Sequence, residues 1–207
     1  MFIDCQTPHI TNDISRVLMK ICQISNLFEP YILGGAEHYV SRIVTELSHT
    51  ENIVLVTTDP KIKGVSSNRI HERFTIYRYN PLNIYHTYYA GNQIEIIKPI
   101  WHGIDLWNPH SYFVIREILR KEKPDVVHTH NIGGVSLSAF LAIRSLHIPH
   151  VHTLHDYSLH CPRATMMHAN GKICTSPNIA CKFYNSIKKI LAQSPDLVTA
   201  PSNYILD

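Results

Sequence analysis

Three observations predict an α/β domain built on a doubly wound parallel sheet. Short apolar runs recur along the chain, stretches with helical spacing separate them, and a Gly34-Gly35 turn joins the first run to the first such stretch. Strands that alternate with helices assemble as β-α-β units with right-handed crossovers.

The first strand is Ile21-Cys22-Gln23-Ile24-Ser25, and Gly34-Gly35-Ala36-Glu37 heads a helix whose Ala36, Val40, Ile43 and Leu47 recur at helical spacing. Ile53-Val54-Leu55-Val56 is the second strand, closed by Asp59-Pro60, and the alternating run Phe74-Thr75-Ile76-Tyr77-Arg78-Tyr79 is the third. Asn108-Pro109 supplies an N-cap and a proline at the first helical position. Ile115, Ile118 and Leu119 form that helix's buried stripe, and Lys123-Pro124 ends it. Val126-Val127-His128 reads as a buried strand, Gly133-Gly134 opens a small-residue helix through Leu146, and residues 149–154 are another strand. Ile187, Ile190 and Leu191 mark a last helix before the final strand, Leu197-Val198-Thr199-Ala200. Residues 77–107 fit less well and read as a long loop carrying a short helix or strand. Their tyrosines and tryptophans either cover the domain's own core or meet a sugar or a membrane interface.

In such sheets ligands bind at the carboxyl ends of the strands. The glycine turn and the residues after His128 and Leu154 therefore belong on one edge. Adjacent glycines permit positive φ and close approach of a ligand, and the first helical turn presents free N–H groups to an anion. Neither Gly-x-Gly-x-x-Gly nor a P-loop is present, which argues against a nicotinamide oxidoreductase.

The chain has 207 residues, enough for one full α/β core, and residues 1–18 read as a flexible extension before a domain at 19–207. Its 19 Lys+Arg against 16 Asp+Glu give a net charge of +3, too mild for nucleic-acid binding. No run has the length of a transmembrane helix and the first twenty residues lack a signal-peptide core, so a cytoplasmic protein with reduced thiols is expected.

Eight of the 15 histidines fall between His128 and His168. The pairs His128/His130 and His150/His152 alternate along their strands, so some of them read as core or sheet-edge residues satisfied by backbone carbonyls, whereas His155-Asp156 lies just past a strand end. There an imidazole can donate to a substrate hydroxyl while the carboxylate orients it or accepts from a second hydroxyl. Cys161, Cys174 and Cys181, with His160 and His168 nearby, offer a ligand set for a structural zinc. They lack a Cys-x-x-Cys pair, so free thiols are the alternative.

Several segments together carry a resemblance. Met19-Lys20-Ile21-Cys22-Gln23-Ile24, Gly34-Gly35-Ala36-Glu37, the run from Lys123-Pro124-Asp125 to His128-Thr129-His130, Thr153-Leu154-His155-Asp156-Tyr157 with Cys161-Pro162-Arg163, and Ala200-Pro201-Ser202 resemble the N-terminal domain of family-four glycosyltransferases. These are retaining enzymes of the GT-B architecture. The resemblance implies a Rossmann-like half that holds the acceptor and walls a nucleotide-sugar cleft. In it Gly34, Gly35, Glu37 and Ser202 lie on the donor side, His155 and Asp156 serve catalysis, and no metal is needed for the chemistry. It further implies a glycan or lipid-linked acceptor, with peripheral contact at the inner membrane face, in polysaccharide biosynthesis. The family's second domain, with its paired glutamates and basic pair, has no counterpart before Asp207. The expectation is therefore a fragment or split half that needs a second-domain polypeptide. The alternative is a non-catalytic glycan-binding or regulatory module, with or without zinc.

Overall fold

In this computed structural model, residues 17–168, 170–202 and 205 are described, so most of the expected extension at 1–18 lies outside them. The elements follow in the order β1 (Lys20–Ile24), α1 (Gly35–Ser48), β2 (Asn52–Thr58), β3 (Val65–His71), β4 (Phe74–Tyr79), α2 (Lys98–Leu106), α3 (Pro109–Glu122), β5 (Val126–Thr129), α4 (Ser138–Ser145), β6 (His150–Thr153), α5 (Ile179–Leu191) and β7 (Leu197–Thr199).

One sheet holds all seven strands in the order β3-β4-β2-β1-β5-β6-β7. β1 pairs in parallel with β2 on one side, Cys22 opposite Val54, and with β5 on the other, Cys22 opposite Val127. Central parallel strands are covered on both faces and read as continuous apolar runs, which is why β1, β2 and β5 were legible. Alternation then sorts their side chains. Ile53, Leu55 and Ile76 pack with Val40 and Val44 of α1, whereas Cys22, Val54, Val56 and Val127 pack with Ile115 and Leu119 of α3 and Phe140 of α4.

The expected all-parallel sheet gains an antiparallel edge, because β3 pairs antiparallel with β4. Val65-Ser-Ser-Asn-Arg-Ile-His is exposed along nearly its whole length, so no apolar run announced it. Residues 77–107 hold two 3-10 turns, Thr87–Asn92 and Glu95–Ile97, and then α2. Trp101 of α2 is buried, stacks on Tyr85 at 5.4 Å, and donates its indole N–H to the Tyr85 carbonyl at 2.8 Å, so this part of the aromatic segment covers core. Trp107 is half exposed.

The expected caps are present. Asn108 accepts from the Ser111 N–H at 3.2 Å with Pro109 first in α3, and Lys123 ends that helix in the left-handed region. Gly133-Gly134 does not begin a helix, because α4 starts only at Ser138. Gly134 instead turns the chain at φ +98, and a Cβ there would lie 2.8 Å from Thr87 Cβ and 2.9 Å from Asn26 Oδ1.

Four histidines are structural members of β5, β6 and the turn after β5. His150 Nε2 and His152 Nδ1 both lie 2.8 Å from Thr129 Oγ1, with the Phe140 ring edge-on to each imidazole. His128 Nε2 lies 2.7 Å from Thr153 Oγ1. Burial lowers all four, His128 and His150 to about 4, His152 to about 3 and His130 to about 2. Unfolded, each takes a proton below about pH 6.5; folded, each stays neutral. The unfolded state therefore binds more protons, and these groups lower stability as the pH drops below about 6.5. Asp105, raised by burial to about 7, acts in the opposite sense. His86 is lowered by burial to about 4 as well, so with five histidines against one acid, stability at about pH 5.5 is expected to lie roughly 3–5 kcal/mol below its value at about pH 7. Denaturant midpoints across that range measure the change, and a midpoint that holds level or rises on acidification contradicts the assignment.

Candidate functional site

The strand order reverses at β1, which sends one half of the sheet to β2 and the other to β5. The loops leaving β1 and β5 consequently part, and a crevice opens at their carboxyl ends. That crevice is a cleft of about 1450 Å³ lined by the start of α1, the turn after β5, the segment after β6, α2 and α5. Gly34, Gly35, Glu37, His155 and Asp156 all line it, as the order of elements predicted. Ser202 does not. It is exposed beyond β7, and its neighbour Pro201 reaches the cleft instead.

The glycine turn works differently from expectation. Gly34 is extended at φ −164, and Gly35 is not among the positive-φ glycines, so neither is used for left-handed backbone. Their contribution is space. A Cβ on Gly35 would meet nothing within 4 Å, and one on Gly34 only Glu37 Oε2 at 3.8 Å, so the bare backbone faces the cleft. Glu37 is 5% exposed and its Oε2 accepts from the Gly34 N–H at 2.7 Å, the return half of a capping box. One donor of the helix start is thereby committed, and those of Gly35 and Ala36 remain for a ligand.

His155 Nε2 lies 3.3 Å from His130 Nδ1, and His130 Nε2 lies 2.7 Å from Gln23 Oε1. Tyr39 of α1 stands edge-on to both rings, at 5.2 Å from His155 and 5.8 Å from His130. Burial lowers the His155 pKa against the opposing pull of Asp156 and Glu37. The group that orients His155 is thus His130. Asp156 Oδ1 accepts from the Ser158 N–H at 2.8 Å and holds the turn that follows.

A second cluster in the same cleft escaped sequence reasoning. Asp105 of α2 is 7% exposed, accepts from the Gly134 N–H at 2.9 Å, and is pushed up to about 7 by burial. Lys188 of α5 is 8% exposed, donates to the Ser158 carbonyl, and lies 4.5 Å from the Tyr184 ring centroid. Burial pushes it down to about 8 while Asp105 and Asp156 pull it up. His102 stands edge-on to Tyr184 at 5.9 Å, and its Nδ1 is buried with no hydrogen-bond partner among the described residues. The available signals were an acid inside the apolar stretch Ile100–Leu106 and the i, i+4 spacing of Tyr184 and Lys188. Carboxylates, imidazoles, an ammonium and aromatic faces converging on one cleft suit a polyhydroxylated ligand, whose hydroxyls both donate and accept.

The expected zinc ligands are not gathered. Of Cys161, Cys174 and Cys181 only Cys161 lines the cleft, and among the described residues no three His, Cys, Asp or Glu side chains converge as a metal would require. Backbone turns order the excursion instead, with His160 and Cys161 both donating to the Tyr157 carbonyl and Met167 bridging Ile173.

A mostly parallel sheet with helices on both faces and a cleft at its switch point is a Rossmann-like architecture. The chain belongs to glycosyltransferase family 4, whose model matches residues 33–207. It is similar to a Klebsiella pneumoniae protein described as an uncharacterized 42.6 kDa protein in the cps region, with 29% identity over 192 residues that cover 91% of this chain and 50% of that one. The chain therefore spans about half the length of the curated relative it matches. Its fold is similar to that of a sucrose-phosphate synthase from Thermosynechococcus elongatus, with a TM-score of 0.53 and 14% identity over 87% of this chain and 41% of that one. No helix among the described residues is long and apolar enough to cross a membrane.

The glycines separate fold from site. Gly134→Ala is expected to cost about 2 kcal/mol or more through positive φ and the clash at Thr87. Gly35→Ala is expected to hold stability within about 0.5 kcal/mol while weakening whatever ligand the cleft binds. Thermal melts of the two variants decide the point, and equal losses would refute the distinction.

Proposed function

We propose that this domain is the acceptor-side half of a glycosyltransferase. It forms one wall of a nucleotide-sugar cleft from which a hexosyl group passes to a glycan or lipid-linked acceptor, in polysaccharide biosynthesis at the cytoplasmic side of the membrane. The observation that carries the reading is the meeting of the α1 start with His155 and Asp156 in one crevice. Membership of the family and the partial coverage of its relative support it. Exposed Ile94, Ile96 and Ile100 near the cleft rim support peripheral membrane contact.

In this reading the Gly35 and Ala36 N–H groups meet the donor's phosphate edge, His155 meets the transferred sugar, and the Asp105, Lys188 and Tyr184 group meets the acceptor. Transfer builds negative charge on the leaving diphosphate. Glu37 and Asp156 flank the α1 start and His155, while Lys98, Arg163 and Lys188 line the cleft toward α2 and α5, so cations at the donor's diphosphate are expected from a second Rossmann-like domain.

The test joins this domain to such a second domain in one polypeptide and follows a radiolabelled nucleotide sugar. His155→Ala is expected to lower transfer by roughly 100-fold, on the scale of removing one transition-state contact, with the melting temperature retained. Undiminished transfer by that variant refutes the assignment of His155. Glycan binding by the isolated domain, with no transfer by the joined protein, favours a binding module.

A further inference from the structure

A glutamine inside the central strand needs a reason. Gln23 stands between Cys22 and Ile24 in β1, is 0% exposed, and is opposite Leu55 on one side and His128 on the other. Among the described residues its Nε2 has no hydrogen-bond partner, which leaves a buried amide half satisfied at a desolvation cost. A leucine there would avoid that cost. The other half of the amide is fully engaged, because Oε1 takes the 2.7 Å contact from His130 Nε2.

A carbonyl oxygen only accepts, so His130 donates through Nε2–H. His130 is 0% exposed and burial keeps it neutral, so its Nδ1 has no proton and accepts. The group facing that lone pair at 3.3 Å is His155 Nε2, which must donate. In neutral His155 the remaining nitrogen, Nδ1, is then a bare acceptor, and no hydrogen bond to it is made among the described residues. The glutamine thus acts on the cleft through two imidazoles without touching a ligand.

We propose that Gln23 and His130 are positioning residues that hold His155 in the Nε2–H tautomer, so that His155 accepts a hydrogen bond from a ligand hydroxyl and does not donate to an anionic oxygen. This rests on the placement of His155 in the ligand cleft and names the chemical group it reads there. The sugar hydroxyl belongs against His155, and the phosphate belongs against the α1 start. The tautomer reverses the expectation from sequence, where the imidazole was the donor. A phosphate oxygen, having no proton to give, would meet a lone pair at Nδ1 and be repelled. The discrimination between sugar and phosphate along the cleft is therefore set from inside the sheet.

Long-range ¹H–¹⁵N correlation on the ¹⁵N-histidine-labelled chain at about pH 7 reads the tautomer directly, with His155 assigned from the signal lost in His155→Gln. The expected wild-type pattern has Nε2 protonated and Nδ1 bare. Gln23→Glu, whose carboxylate also only accepts, is expected to keep that pattern, and Gln23→Leu is expected to replace it with an averaged one. A wild-type His155 protonated on Nδ1, or one already averaged, overturns the proposal, and neither outcome depends on a variant folding. Because no ligand is present, this result is separate from the transfer assay. Loss of transfer in His155→Ala together with an averaged wild-type tautomer overturns the relay and leaves the cleft assignment standing.

Discussion

The backbone of Asn26 joins the carboxyl ends of three parallel strands, and the cleft depends on that junction. Its N–H donates to the Asn131 carbonyl at 2.8 Å, and its carbonyl accepts from the Thr58 N–H at 3.0 Å and the Thr58 hydroxyl at 2.6 Å. The chain leaves β1 just where strand order reverses, so these bonds hold β1, β2 and β5 together while their loops diverge. Gly134 passes close by, where no side chain fits between Asn26 and Thr87. Its N–H then fixes the Asp105 carboxylate. A single buried junction therefore sets the depth of the crevice and the place of an acid on its far wall.

Burial also determines the electrostatics of the cleft. The histidines nearest the sheet are kept neutral, so they serve as hydrogen-bonding groups of fixed polarity instead of cations. Asp105 and Lys188 are both pushed toward neutrality, yet each pulls the other back toward charge. Such a pair responds to any ligand that excludes water from it, because desolvation strengthens their mutual attraction. Proton state and ligand occupancy are linked on this wall.

What the sequence disclosed follows from how each feature is stabilised. β1, β2, β5 and α3 were legible because parallel burial and local capping leave marks on adjacent residues. The set Gly34, Gly35, His155 and Asp156 was legible because strand ends in such a sheet share an edge. The β3 hairpin was not, since an exposed edge strand has no apolar face to display. Asp105 and Lys188 were also missed. Their chemistry arises from burial by α2, α5 and the Ser158 turn, none of which is adjacent to both in sequence. Some of the alternating histidines read as core or sheet-edge residues satisfied by backbone carbonyls. His130 is buried but meets the Gln23 and His155 side chains, contacts that are a fact of three dimensions alone.

The Gly34-Gly35 turn is the point at which motif and mechanism diverge most. A glycine pair ahead of a helix suggests unusual backbone torsion, and neither glycine has it. Their value lies in the absent side chains, which allow a ligand to reach the α1 amides. Glu37 tempers that invitation, because its carboxylate occupies the Gly34 N–H and places a negative charge within the first helical turn. An acid there stabilises the helix dipole and weakens the same dipole's pull on an incoming phosphate. The turn is accordingly shaped for close approach more than for strong anion capture. A domain built this way gains by sharing its ligand with a second, cationic surface, since close approach on one side and charge on the other divide the work that a P-loop performs alone.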